Sequence, residues 1–355
     1  MGKILITGGA GYIGSAVTEL LSGRDAASVL VLDNLSQGHR AAIPSGVSFS
    51  ETNLGDPAAL QTLFSQNSID AVIHLAAVSV VGDSVAQPLK YYRENVGNLL
   101  HLLEAMRRSG CRQLVFSSTA SVYGEPAKVP ITEECPLAPI NPYGWTKRMG
   151  EQILNDSLRS DNDGPALRFV ALRYFNVAGA TARCGEMHHP ETHLVPRVLE
   201  VALGQRPHLE LYGSDYDTPD GTCIRDYIHI LDLAEAHLLA LKYTAEKSGI
   251  FNLGSNHGYS VREVVECARR ITGHSIPLKE FPRRPGDPPR LVASHARARA
   301  ELGWTPGRGL EEMISSAWEW RCKHPRGYVQ ETQEARKKSS NNRKNSVQES
   351  SKIEK

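Results

Sequence analysis

The sequence predicts an α/β protein built on a doubly wound parallel sheet. Three observations carry that reading. Short runs at 4–7, 29–33, 47–51, 71–77, 113–118 and 169–174 are apolar nearly throughout rather than alternating, as suits strands covered on both faces. Amphipathic stretches near 12–22, 57–66, 86–109 and 143–159 lie between them, and such alternation implies βαβ units. After Asn176 the elements shorten and Pro and Gly increase, which implies a smaller lobe built onto the first.

The first run leads into Thr7-Gly8-Gly9-Ala10-Gly11-Tyr12-Ile13-Gly14. This contains Gly9-x-Gly11-x-x-Gly14 and the overlapping Gly8-x-x-Gly11-x-x-Gly14. Between a strand and a helix, such a pattern signals a dinucleotide loop rather than a mere glycine-rich turn. The glycines permit a tight turn and let backbone N–H groups approach a pyrophosphate, toward which the helix N-terminus adds partial positive charge. The second run ends at Asp33, 19 residues after Gly14. A carboxylate there accepts hydrogen bonds from the adenosine ribose hydroxyls and repels a 2′-phosphate. The following Asn34-Leu35-Ser36 supplies no cation, so NAD is expected over NADP.

The fifth run is followed by Ser117-Ser118-Thr119-Ala120-Ser121-Val122-Tyr123-Gly124. In open α/β sheets ligands bind outside the carboxyl ends of the strands, and a Thr119 hydroxyl there can bridge a reacting oxygen and a tyrosine. A polar loop satisfying its own backbone is the plainer account. The next helix carries Tyr143 and Lys147, four residues apart and so one turn apart on one face. A free tyrosine is only about 0.1% phenolate at pH 7. A nearby ammonium and a cationic nicotinamide favour the anion, which then serves as a base toward a carbinol hydroxyl. A Tyr-x-x-x-Lys pair alone is common on solvated helix faces; downstream of a dinucleotide loop it is specific.

In the second half a loop rich in Gly, His and Pro precedes a helix near 193–204 and a strand at 209–212. A strand–helix unit spans 224–243, its helix expected to start at Asp232, with Glu235 at capping-box spacing. Ser260 and Glu263 open another helix by the same signal, and a final helix spans about 309–323. The expected organisation is a nucleotide unit of 1–175 with 224–251 returning to it, a substrate lobe of 176–223 and 252–328, and a disordered charged tail, 329–355.

Charge and cysteines exclude several classes. The 355 residues hold 40 Lys and Arg against 39 Asp and Glu, a net charge of +1, which is not the footprint of a nucleic-acid binder. Residues 326–355 carry eight basic and four acidic side chains, leaving 32 and 35 for the rest, so a mildly acidic body is balanced by a basic tail. That tail is nearly free of apolar residues and cannot order itself. No run approaches the roughly 18 apolar residues of a membrane span. Six cysteines without CxxC spacing read as reduced thiols of a cytoplasmic protein, and the apolar N-terminal stretch is too short for a signal peptide.

Residues 1–328 resemble the UDP-hexose 4-epimerases of the extended short-chain dehydrogenase/reductase family, whose fold is Rossmann-like. The matching segments are 7–15, 32–35, 74–85, 116–124, 141–147, 173–176, 225–229 and 283–289, in family order. The resemblance implies that Tyr143 removes the proton of the sugar 4-hydroxyl while hydride passes to NAD. The 4-keto sugar then turns and takes the hydride back on its other face. Lys147 would bond the nicotinamide ribose and depress the Tyr143 pKa, with Thr119 at the reacting oxygen.

By the same resemblance, Gly8, Gly11, Tyr12, Ile13 and Gly14 form the cofactor loop. Asp33 and Asn34 lie at the adenosine end, Asp56 contacts the adenine, Leu75, Ala76, Ala77 and Ser79 line the cofactor, and Phe175 lies against the nicotinamide. Ser79 replaces a Lys of some members. Arg225 and Arg284 would grip the diphosphate and Asp287 the uridine ribose, with Asn176, His193, Leu194 and Tyr212 lining the pocket. His193 stands where some relatives have Asn. Leu291 falls where some have a large Tyr, which implies room for an N-acetyl group on the sugar. His188, His189, Glu191 and His193 match no common metal spacing and read as a polar loop over the substrate, so no metal is expected.

A dehydratase is disfavoured, because Ala120 and Ser121 stand where the dehydratases carry an acid. A UDP-pentose or UDP-uronate 4-epimerase shares the same chemistry, and a non-catalytic NAD-binding scaffold would lack Tyr143 or Lys147. Relatives are commonly homodimers through helices corresponding to 86–109 and 143–159.

Overall fold

The computed structural model describes residues 2–158, 166–284 and 286–328; the tail expected at 329–355 lies outside the described residues. Seven parallel strands form the main sheet: β1 (Lys3–Thr7), β2 (Val29–Asp33), β3 (Ser48–Glu51), β4 (Ile69–His74), β5 (Gln113–Ser117), β6 (Arg168–Tyr174) and a later strand, 249–253. Their order is 249–253, β6, β5, β4, β1, β2, β3. Side chains alternate across the sheet, and both sides are buried. Along β1, Leu5 packs with Leu30, Val72 and Leu114 on one face, whereas Ile6 packs with Val31, Ile73 and Val115 on the other. This is why the runs read as apolar throughout.

The helices of this half are α1 (Tyr12–Asp25), α2 (Pro57–Gln66), α3 (Val81–Ala86), α4 (Pro88–Tyr91), α5 (Asn98–Ser109) and α6 (Pro142–Asp156). The helix expected near 86–109 begins at Pro88 and runs without interruption to Ser109. Gln87 leaves helical geometry before Pro88, as residues preceding proline tend to, and a π-helical turn spans Tyr92–Gly97. That turn aims Asn95 sideways. Its amide accepts from Val78 N–H (2.9 Å) and donates to Val78 C=O (3.0 Å) and the Thr146 hydroxyl (3.0 Å). It thereby ties the segment after β4 to α6.

The chain continues through β7 (Asn176–Ala178), α7 (Leu194–Ala202), β8 (Leu209–Tyr212), β9 (Ile224–His229), α8 (Ile230–Tyr243), β10 (Gly249–Leu253), β11 (Gly258–Ser260), α9 (Val261–Thr272), β12 (Leu278–Phe281), β13 (Arg290–Leu291) and α10 (Leu310–Lys323). β9 joins β7, β11 and β13 in a small sheet, and β8 pairs with β12. α7, α9 and α10 enclose the second core around Val198, Val265 and Met313. Of the stretch 224–251, β9 thus lies in the small sheet, while α8 and β10 pack with the main one.

α8 starts two residues before the expected Asp232. His229 Nδ1 accepts from Leu231 N–H (3.1 Å) and caps it there. Asp232 is instead buried, accepting from Gly307 N–H (3.1 Å), Arg308 N–H (3.0 Å) and the Arg308 guanidinium. At Ser260 the capping box with Glu263 is present, as expected.

Candidate active site

The β1–α1 loop is shaped by two glycines. Gly8 has φ +71°, and a Cβ there would meet Ala76 N at 2.6 Å; at Gly14 a Cβ would stand 2.1 Å from Gly8 O. α1 therefore begins pressed against its own strand. Gly11 is its N-cap and no side chain caps it, so the first-turn amides of Tyr12 and Ile13 remain for an anion. The Tyr12 hydroxyl donates to Gly179 C=O (2.6 Å), joining this loop to the end of β7. The Asp33 carboxylate accepts from Ala10 N–H (3.0 Å) and Leu35 N–H (2.8 Å). Burial raises its pKa and those bonds oppose the rise, so the carboxylate is held at the loop rim by one donor of the loop and one of the turn after β2.

The other expected cofactor residues divide. Leu75 N–H bonds Thr7 C=O (3.0 Å), which sets Leu75, Ala76, Ala77 and Ser79 beyond the end of β4. Asn34 is exposed and closes its own turn by accepting from Ser36 N–H (3.0 Å). Asp56 caps α2, one carboxylate oxygen accepting from Ala58 N–H (3.1 Å) and Ala59 N–H (3.0 Å).

α6 begins with Asn141 as N-cap and Pro142 at its first turn. A Cβ on Gly144 would lie 2.6 Å from Ser121 O, so the helix starts hard against the loop after β5. The Thr119 hydroxyl accepts from Ser121 N–H (3.2 Å) and lies close enough to Tyr143 to favour its phenolate. Lys147, one turn on, is buried, donates to Ser117 C=O (2.8 Å) and lies 5.1 Å over the Phe116 ring. Burial pushes Tyr143 up to about 12 despite the opposing influence of Thr119, and lowers Lys147 to about 7. The expectation that Lys147 depresses the Tyr143 pKa is thus not met by the protein alone, because desolvation opposes both charges. His74, bonded to Thr7 (2.7 Å), is held down to about 3 by burial and by Lys147.

Sequence reasoning missed what supports this face. Ser118 donates to Glu151 (2.6 Å), and Glu151 pairs with Arg173. Arg173 also donates to the Tyr123 hydroxyl (2.8 Å), which donates to Asn252 (2.7 Å). All five are buried. Glu151 lies four residues beyond Lys147, a spacing that could have suggested it.

Just beyond β6, Phe175 packs with Val122, Tyr123, Ile131 and Ala293, and Leu291 lies against the same cluster. Asn176 donates to Asp226 C=O (3.0 Å). Arg225, expected to hold phosphate, pairs with Asp287 and also donates to Ile224 C=O (2.7 Å). Its charge is shared with a carboxylate, so Arg284 is the freer cation. The Arg284 guanidinium lies 3.9 Å over the Tyr212 ring, an arrangement that keeps its N–H edge outward. His193 and Leu194 stand at the start of α7. The loop before it draws Glu186, a residue the sequence did not single out, together with His188, Glu191 and His193; His189 is not part of the group.

A glycine-rich loop with a free helix N-terminus, a carboxylate at its rim and a buried Tyr–Lys pair beside it defines a nicotinamide-dependent enzyme acting on a carbinol. The glycine cradle and the Asp33 carboxylate at its rim both fit NAD. The model described as "NAD dependent epimerase/dehydratase family" matches residues 4–254. The chain belongs to this family, and its cofactor is NAD. It is 50% identical over 331 residues to a UDP-glucose 4-epimerase of Streptomyces lividans, covering 92% of this chain and 98% of that one. It is 44% identical over 343 residues to a probable UDP-arabinose 4-epimerase of rice, Oryza sativa subsp. japonica, covering 92% of this chain and 80% of that one. A solved UDP-glucose 4-epimerase from Bifidobacterium longum, in complex with NAD+ and UDP, superposes with a TM-score of 0.86 at 38% identity, over 92% of this chain and 100% of that one.

Proposed function

We propose that the protein is an isomerase that interconverts UDP-galactose and UDP-glucose by NAD-dependent epimerisation at carbon 4. The observation that carries this reading is the burial of Tyr143 and Lys147 one turn apart on α6, the helix that starts against the loop bearing Thr119. Bound NAD supplies a positively charged hydride acceptor. The protein's residues handle the proton. Lys147, lowered to about 7 by burial and one turn from Tyr143 on the same helix, is the amine that takes up the proton as the Tyr143 phenolate forms. The Tyr143 phenolate then takes the proton of the sugar 4-hydroxyl and later returns it, with Thr119 holding that oxygen in line.

Asp33 receives the adenosine ribose, Asp56 the adenine, Phe175 the nicotinamide face, and Arg284 with Arg225 the UDP diphosphate. Asp287 holds the uridine ribose, while Asn176, His193, Leu194 and Tyr212 line the sugar-nucleotide pocket. Leu291, against the Phe175 cluster, leaves room for an N-acetyl substituent. The division into a nucleotide unit and a UDP-sugar lobe, a cytoplasmic location and a homodimer complete the reading. Six free thiols suit a reducing compartment. Val85, Leu89, Trp145 and Met149 stay exposed on α3, α4 and α6, and offer an apolar face to a second copy.

The test is to offer UDP-glucose, UDP-galactose, their N-acetylated counterparts, UDP-xylose, UDP-arabinose and UDP-glucuronate without added NAD. Interconversion of the hexoses supports the reading. Turnover of pentoses alone, the alternative that the rice relative raises, or of the uronate alone would replace it. Retention of NAD with no turnover would point to a scaffold.

A further inference from the structure

We propose that Glu186, His188, Glu191 and His193 form a site for a divalent transition-metal ion, best matched by zinc. The four residues offer one ligand atom each, all within 4.8 Å of one another. His193 Nδ1 lies 2.8 Å from Glu186 Oε1, and His188 Nδ1 lies 3.4 Å from the same oxygen and 3.9 Å from Glu191 Oε2. Four donors around zinc at about 2.0–2.2 Å stand roughly 3.3–3.5 Å apart, so these separations bracket a tetrahedral shell.

A second observation is independent of that spacing. His188 Nδ1 and Glu191 Oε2 are both buried without a hydrogen-bond partner. The Glu191 side chain is only 5% exposed and that of Glu186 7%. Glu191 Oε1 is already used, accepting from Thr192 N–H (2.8 Å) and His193 N–H (2.9 Å). Oε2 is left aimed at His188, and burying an unpaired carboxylate oxygen is costly. A cation between them satisfies both unpaired atoms and neutralises two buried carboxylates.

Two imidazoles with two carboxylates favour zinc over magnesium or calcium, which prefer all-oxygen shells. The residues span the loop between β7 and α7, and His193 is the α7 N-cap residue although its side chain makes no cap bond. Its ring faces the carboxylates instead. Metal at Nδ1 would fix that ring with Nε2 directed outward. The site would therefore be structural, locking the loop and the start of α7.

The experiment uses the purified full chain. It is stripped with a chelator, exposed to zinc chloride, desalted and assayed for metal by mass spectrometry, with magnesium chloride as comparison. The expected result is one zinc per chain, no retained magnesium and a raised Tm. His188→Gln and Glu191→Gln should each lose most of that zinc, whereas His189→Ala, one residue away and outside the cluster, should keep it. Cobalt substitution of the unmodified chain should give the visible absorption of tetrahedral Co(II), which keeps the proposal testable should a variant fail to fold. Zinc retention below about one-tenth per chain, undiminished zinc in both glutamine variants, or no tetrahedral cobalt spectrum would overturn it. Those results would leave a protonated His193 between carboxylates as the account of the cluster.

Discussion

Glu151 and Arg173 form a two-pronged ion pair behind the Tyr143–Lys147 face, with N–O distances of 2.8 and 2.6 Å and both side chains buried. Ser118 anchors to the same carboxylate, so the pair fixes the loop bearing Thr119 relative to α6. Removing one partner leaves a buried charge alone. Glu151→Gln should cost about 3–5 kcal/mol in urea denaturation. A loss below 1 kcal/mol would show that the guanidinium finds another acceptor.

Tyr143 and Lys147 should set the acid limb of activity. Burial lowers Lys147 to about 7, so below that pH the pair holds both protons and no base is available. Activity should rise with pH through this region. Lys147→Met leaves Tyr143 with a pKa pushed up to about 12, so the limb moves upward and activity at pH 7 falls about 10²–10⁴-fold. A pH profile of kcat/KM for both forms checks this. An unmoved limb would assign it to another group.

The same lysine has a stability signature in protein stripped of nucleotide. Its folded pKa lies below the usual 10.5, so between pH 7 and 10 the unfolded chain binds the extra proton. Stability should therefore rise with pH across that window, and Lys147→Met should flatten the slope. Urea midpoints at pH 7, 8.5 and 10 measure it.

Gly14→Ala should strip the cofactor. The added methyl would sit 2.1 Å from Gly8 O, so strand and helix must part. Overpacking of this kind costs about 1–3 kcal/mol, which is roughly a 10–100-fold loss of NAD affinity if the cradle absorbs it. The NAD released from denatured protein by each variant reports it. Full retention would mean that the loop moves without touching the cofactor.

Leu291→Tyr should narrow the sugar pocket. If Leu291 leaves space beside the sugar, filling it should lower kcat/KM for UDP-N-acetylhexosamines relative to UDP-hexoses by about 10–100-fold. Parallel losses on both would place residue 291 away from the sugar.

The main sheet was legible because Leu5 and Ile6 are each buried, one on either face, which makes its central strands apolar nearly throughout, whereas the edge strand β3 alternates Ser, Phe, Ser and Glu. The glycine loop and the Tyr143–Lys147 pair were legible because their partners are close in sequence. What failed were contacts closed by the tertiary fold. Asp232 looked like a cap, yet Arg308, 76 residues on, takes its carboxylate and His229 caps α8 instead. Glu186 gained meaning only when the loop folded it against His193, and Glu151 when β6 carried Arg173 beneath it. The start of the 88–109 helix had a visible signal in Pro88.

The chain leaves the main sheet after β6, returns through α8 and β10, and leaves again at β11. His229 ends a strand of the small sheet while capping a helix of the large unit. The lobe built on the small sheet is consequently not a detachable module. Transplanting it from a relative to change substrate choice would need several cuts, one of them through the His229 cap. Selectivity in this architecture is therefore more readily altered by single replacements on the cleft wall than by exchange of whole segments.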